Sequence, residues 1–416
     1  MAERLKNLLL AVLLVFMAVL LVLTFFFGIQ GSHGGQRLLQ SLEDSDDFTV
    51  SGTIRPAAQP EKLALMGENG LFLAQEGTDY SLLYQQAEPL WQEALGSANE
   101  LEHMTETDYL QALQAPAVLL QYHTAQPLYL LRAWSGSEAL QEELAVTGVA
   151  LAGREDRVIL MITDRSGSRW QAETAASYAE LEALCADVPQ GNSVLAGPHA
   201  VLAGDEVLTC QAGSFDALSI AAPELVLRGE LSESIQSMFG MNAYLTKVYL
   251  NADGSLVYVE SHSTISLSPE GDLSYAGEGI QLELTASGGN ARRAEICQQV
   301  YERLAHLWEQ AGASGQLSLE ELQVEGDRYV LRFGLHLDGR FLERTEGFWA
   351  TVTVEDNVIT GLTAALRQVE ETESLQLLPL YQAAATLERG KGSLRVRLLE
   401  QTDGTLLPRI CFVTEE

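Results

Sequence analysis

The chain holds seven histidines (His33, His103, His123, His199, His262, His306 and His336) and four cysteines (Cys185, Cys210, Cys297 and Cys411). A zinc site wants such residues three or four positions apart, or in C-x-x-C pairs, so that two ligands leave one turn together. No histidine here has a His or Cys partner at that spacing, and no two cysteines form a C-x-x-C pair. Covalent catalysis of the familiar kinds would show G-x-S-x-G or S-x-x-K, and neither occurs. H-E-x-x-H and the Walker loop are absent too. Ser193, His199 and a distant Asp are the nearest approach to a triad, yet Gly-Asn-Ser and Gly-Pro-His read as loop punctuation. Gly277-Glu278-Gly279 lacks the third glycine and following helix of a dinucleotide site. Asp44-Ser45-Asp46-Asp47 has the donors for calcium but neither the loop glycine nor the terminal Glu, and reads as a solvated linker. No catalytic, cofactor-binding or metal-ligating residue is assigned, and the chain is not expected to be an enzyme. Trp91, Trp134, Trp170, Trp308 and Trp349 are scattered, so core packing is expected of each.

The stretch that organises the chain is Leu8 to Phe27, twenty residues with no charge and one hydroxyl. At about 1.5 Å per residue, a helix of this length spans the roughly 30 Å hydrocarbon core of a bilayer. Arg4 and Lys6 precede it, which keeps the N-terminus cytoplasmic and places everything after Gly28 outside. A cleaved signal peptide would have a shorter apolar region and small residues at its exit, where this chain has Phe25, Phe26 and Phe27. An uncleaved, single-pass anchor is therefore expected. Ala11 and Ala18 lie seven apart on one face, a spacing that fits a left-handed crossing with another membrane helix.

The formal net charge is −32 at pH 7. Such a surface repels phosphate backbones, so nucleic acid is an unsuitable partner, and solubility outside the cell is the plain reason for it. Four scattered cysteines do not make a disulfide scaffold. Cys297, in an amphipathic helix, and Cys411, between Ile410 and Phe412, read as buried thiols.

Five parts are expected: tail and anchor (1–30), linker (31–47), a first exported α+β domain (48–198), a central mostly-β domain (199–290) and a C-terminal α+β domain (291–416). In the first, a hairpin about 67–70 precedes a helix from Ser81 to Ala94 and a helical turn from Asp108 to Leu113. Strands then follow at 117–122, 128–134, 146–151, 158–163 and 168–172, with a short helix from Tyr178 to Cys185. Glu224–Leu227 reads as a strand and Ser232–Met238 as a helix. Asp253-Gly254 marks the clearest hairpin, between alternating strands in 246–260. Ala291–Ala311 carries Ile296, Val300, Leu304, Leu307 and Trp308 on one stripe, and Gly312 stops it. A four-stranded meander (317–324, 328–335, 347–354, 358–367), a helix from Leu375 to Leu387 and a final hairpin (394–399, 406–413) complete the reading. The fold class is α+β: antiparallel sheets, each with a helix on one face, in two or three small domains behind one transmembrane helix.

Two stretches carry a resemblance. One is Ala115 to Tyr129 with the strands to Trp170. The other is Phe239-Gly-Met-Asn, Tyr249 to Tyr258, Ile265 to Tyr275, the Ala291 helix and the sheet ending near Arg367. In order, spacing and single N-terminal anchor the chain resembles the YycH/YycI family of Gram-positive bacteria, YycH more closely. The resemblance implies a bitopic protein whose exported region binds and modulates the WalK (YycG) sensor histidine kinase, which governs cell-wall metabolism, with a YycI-like companion as a further partner. It implies no catalytic residues and no cofactor. The alternative is an exported binding module for a wall component or small ligand.

Overall fold

The computed structural model describes residues 58–413, leaving out 75–77, 99, 115, 138–142, 187, 196–201, 204–206, 210–212, 224, 227–230, 338–339, 345–346, 378, 380–381, 383–389, 392 and 401–404. The expected anchor with Ala11 and Ala18, the linker, His33, His199 and Cys210 lie outside the described residues.

The chain opens with β1 (Pro60–Gly67), β2 (Gly70–Leu73), α1 (Thr78–Ser97), β3 (Glu102–Met104), α2 (Glu106–Ala112), β4 (Ala117–Pro127) and α3 (Leu128–Trp134). Then come β5 (Ala145–Arg154), β6 (Arg157–Asp164), β7 (Arg169–Glu173) and α4 (Tyr178–Ala186). The seven strands form one antiparallel sheet in the order β2-β1-β4-β5-β6-β7-β3. Its strands are continuous apolar runs because both faces are covered. Leu63, Leu65, Leu120, Leu151 and Ile162 join the main core with Trp91 and Leu95 of α1. The alternate residues Ala64, Leu119, Ala150, Ile159 and Met161 join a smaller core with Tyr109 of α2. The expected strand at 128–134 is instead helix α3. Six of its seven residues are buried, Leu128, Tyr129, Leu130, Leu131, Arg132 and Trp134, so no amphipathic period marks it. A short apolar run is ambiguous between buried strand and buried helix. Pro127, at φ −61° and ψ 127°, ends β4 and sits at the N-cap.

The second half contains β8 (Ser193–Leu195), β9 (Leu202–Ala203), β10 (Val207–Thr209), β11 (Gly213–Ala221), α5 (Glu233–Met238), β12 (Lys247–Leu250), β13 (Leu256–Glu260), β14 (Ser263–Leu267) and β15 (Asp272–Gln281). Helix α6 (Gly289–Ala311) precedes β16 (Gln316–Glu325), β17 (Arg328–Leu337), β18 (Arg340–Glu343), β19 (Ala350–Glu355) and β20 (Val358–Ala365). The chain closes with β21 (Gln368–Leu377), β22 (Gly390–Lys391), β23 (Ser393–Glu400) and β24 (Thr405–Val413). Thirteen strands form one sheet, β12-β13-β14-β15-β20-β19-β17-β18-β23-β24-β11-β21, with β16 also on β17. All its pairs are antiparallel except β18 with β23. Strand β15 pairs with β20, and β11 with β21 and β24, so hydrogen bonding runs straight across position 290.

The architecture is thus antiparallel sheets with six helices among the described residues, as the α+β reading expects. The sheets are larger than its small hairpin units. Strand β18 interrupts the expected four-stranded meander. Leu225 and Val226 are helical, not extended. Residues 375–377, read as the start of a helix, belong to β21, where pairing with β11 overrides the helix-forming residues around them.

Helix α6 ends as its sequence demands: Gly312 takes φ +66°, the left-handed C-cap that a side chain disfavours. Its burial is wider than one stripe. Ile296, Val300, Leu304, Leu307 and Trp308 are buried, and so are Gln298, Gln299, Tyr301 and Arg303 off that stripe. The helix touches α3, α5 and β16, and residues of both large sheets share one core with it. Replacing Leu131 of α3, which is fully buried, by Ala leaves a cavity among α1, α3 and α6. The expected cost is about 2–5 kcal/mol. It is read as a lowered urea midpoint at unchanged slope.

Candidate functional site

The chemistry-bearing residues are mostly dispersed by the fold. His103 sits edge-on to Trp170 at 5.6 Å, His262 lies 3.7 Å from Glu278 on the surface, and His306 shares a hydrogen bond of 3.2 Å with Ser234. Ser193 donates to Oδ1 of Asn192. Cys185 and Cys297 are free thiols in the core, both pushed up to about 12 by burial. Cys297 is thus the buried thiol that its helix position implies; the side chain of Cys411 lies outside the described residues. Trp91, Trp134, Trp308 and Trp349 are buried, as core residues should be. Gly279 lies in β15 at a register shift opposite β20, with φ +100°, where a side chain would strike Val358. It is a bulge glycine and not part of a phosphate loop. Among the described residues no three His, Cys, Asp or Glu side chains converge as a metal site requires.

Two histidines are brought together, and the sequence showed no sign of it, since they lie more than two hundred residues apart. Where β1 and β4 of the first sheet meet β17 and β18 of the second, the His123 ring stacks on Phe341 at 3.5 Å and 17°. The His336 ring meets Phe341 edge-on at 5.3 Å. Nδ1 of His123 lies 3.5 Å from Oε2 of Glu61, both side chains being 8% exposed. Around them Gln126 donates to the Leu319 carbonyl at 2.8 Å, and the Gln59 N–H donates to Oγ of Ser318 at 3.2 Å. Neither ring nitrogen of His336 has a hydrogen-bond partner. Burial, then the charge of His123, push its pKa down to about 4, with Glu61 pulling the other way. The group is buried between the two sheets and joins them.

The surface offers a different kind of site. Tyr244, Leu245, Val248, Tyr249 and Leu250 are 49–72% exposed, five large apolar side chains in seven positions. They are held in place. The Asn242 N–H donates to Glu260 Oε2 at 2.6 Å, and the Asn242 carbonyl accepts from the N–H groups of Leu245 and Thr246. Contiguous apolar surface on an ordered element marks an interaction site more often than a site of chemistry. The sequence reads this stretch as one strand of the Asp253-Gly254 hairpin, and only the fold shows that its apolar residues are exposed.

No protein-family model matches the chain, and no curated protein matches it in sequence. Among solved structures it is similar to the crystal structure of YycH from Bacillus subtilis, with a TM-score of 0.51 and 10% sequence identity, over 86% of this chain and 97% of that one. The fold is YycH-like. The similarity extends over most of both chains, so the resemblance read from the order of elements holds at the level of architecture.

The buried His336 makes stability pH-dependent. The ring is neutral in the fold, while the unfolded ring takes a proton near pH 6.5 and the folded one only near pH 4. The unfolded state therefore binds more protons in that window, and stability falls as pH drops from 6.5 to 4. The expected loss from this group is at most about 3 kcal/mol. In His336→Leu, chemical denaturation at pH 7, 5.5 and 4.5 should show a flatter acid slope than the parent; parallel slopes would remove the assignment.

Proposed function

We propose that this protein is a membrane-tethered, extracytoplasmic regulator that binds and modulates a sensor histidine kinase of a two-component system controlling cell-wall metabolism, and that it catalyses no reaction itself. The observation that carries the reading is the YycH-like fold over 86% of the chain. The apolar run Leu8–Phe27 supports the tether. Among the described residues no helix is long and apolar enough to cross a membrane, so the anchor rests on that run alone. A tether in the kinase's own bilayer raises the effective concentration of the exported sheets at the kinase without any new contact. A YycI-like companion is the second partner of this reading.

In this reading the N-terminus is cytoplasmic and the bulk of the chain is outside. A reporter fused after Glu416 should be active only outside the cytoplasm, and the mature protein should keep Met1–Phe27. A soluble species beginning near Gly31 would end the anchor reading. The full chain, purified from membranes, should bring the sensor kinase with it; its absence at matched expression would end the regulatory one.

The anchor itself is proposed as a packing surface through Ala11 and Ala18, since helices in lipid associate by close contact at small residues. Ala11→Leu with Ala18→Leu should leave insertion and abundance intact and lower in-membrane crosslinking to the kinase or companion. Unchanged crosslinking, together with full function of a poly-Leu anchor, would leave the helix as a tether only.

A further inference from the structure

Strand β12 is the terminal strand of the thirteen-stranded sheet and, among the described residues, pairs only with β13. Its four residues, Lys247 to Leu250, are all exposed. The Asn251 N–H donates to the Ser255 carbonyl, which makes 251 with 255 a hydrogen-bonded pair. In an antiparallel ladder such pairs alternate. Tyr249 with Val257 and Lys247 with Val259 are then bonded as well. Val248 and Leu250 turn their N–H and C=O groups outward. An edge of this kind accepts another strand, with main-chain bonds supplying affinity and side chains the selectivity.

Charge narrows the occupant. At the two ends of the strand stand Asp253, in the turn that follows it, and Glu260, bonded to Thr246 just before it, against the strand's one cation, Lys247; Asp272 and Glu278 are paired with Arg367 and His262. Asp253 in the hairpin turn is fully exposed, and the Ser255 N–H and hydroxyl hold its carboxyl below the usual range. The whole chain carries −32. A second copy would set like charge against like at both ends of the strand, which disfavours self-pairing.

We propose that β12 receives an extended segment of a partner protein, added as a further strand, in which apolar residues alternate with Lys or Arg. The apolar side chains fall on the face of Val248 and Leu250, and the cations, on the face of Tyr249, reach the carboxylates at the strand's ends. The surface stands whether or not the partner is a kinase.

The test uses the full chain in nanodiscs of phosphatidylcholine, with empty discs as the blank. The probes are two fluorescent ten-residue peptides, one alternating Val and Lys, the other Val and Glu. The Val–Lys peptide should bind, slow hydrogen exchange at the N–H groups of Val248 and Leu250, and bind at least tenfold more weakly to Val248→Pro with Leu250→Pro. Proline removes only the outward donors, so the bonds to β13 remain. If that variant fails to fold, Lys247→Glu with Leu250→Glu, both at exposed positions, should give the same loss. Equal binding of the Val–Glu peptide, retained binding by the folded variants, or no protection at 248 and 250 would overturn the proposal. So would sedimentation showing a dimer of the parent chain that the proline variant lacks.

Discussion

The packing of α6 is the constraint on which the rest depends. A surface helix buries one apolar stripe, and this one buries more. Besides Ile296, Val300, Leu304, Leu307 and Trp308, the side chains of Ala294, Gln298, Gln299, Tyr301 and Arg303 are buried. One sheet cannot cover all of them. The helix therefore lies between β16 of the second sheet and helices α3 and α5. Helix α3 in turn contacts α1, so the first sheet's core is continuous with the second's. Gln299 of α6 accepts from the Glu283 N–H at 3.1 Å and donates back to the Glu283 carbonyl. That exchange secures the chain segment that links β15 to α6.

A second contact fixes the angle between the sheets and is polar. Glu61, His123 and His336 sit around Phe341 with Gln126 bonded to the Leu319 carbonyl. Apolar side chains would give more stability there at low pH, because His336 has to stay neutral. Rings and amides specify one orientation, since stacking and hydrogen bonds fail on rotation where grease tolerates it. The arrangement couples the two halves mechanically: a partner that tilts one sheet must break or carry the other.

Legibility in the sequence followed local physics. The Asp253-Gly254 hairpin, the α6 stripe with its Gly312 stop and the buried Cys297 are set by neighbours a few residues away, and all stand in the structure. Helix α3 has the look of a strand because a short run with six of its seven residues buried carries no period. The end of β21, residues 375–377, has a helical look because Leu and Gln favour helices, whereas its partners, 213–215 of β11, are remote in sequence. The histidine junction was unreadable for the same reason: His123 and His336 meet only after two sheets have formed. The exposed run at 244–250 was legible as residues and illegible as a site, since alternation does not say which face a sheet covers.

How the edges are treated separates the two sheets. Outer strand β2 is closed off: the Leu73 N–H donates to Asn192 Oδ1 at 2.8 Å, Asn192 Nδ2 donates to the Leu73 carbonyl at 3.0 Å, and the Asn192 N–H donates to the Leu71 carbonyl at 3.0 Å. One amide side chain there stands in for a strand. Outer strand β3 is three residues long, too short to template another chain. Strand β12 has neither device, only Lys247, the usual edge charge, among Val, Tyr and Leu. Open edges cost solubility, and this chain offsets that with a charge of −32. That charge keeps copies apart while leaving the edge open to a cationic strand. The acidity is therefore what makes a bare, apolar edge tolerable, and it ties the composition of the whole chain to one strand of it.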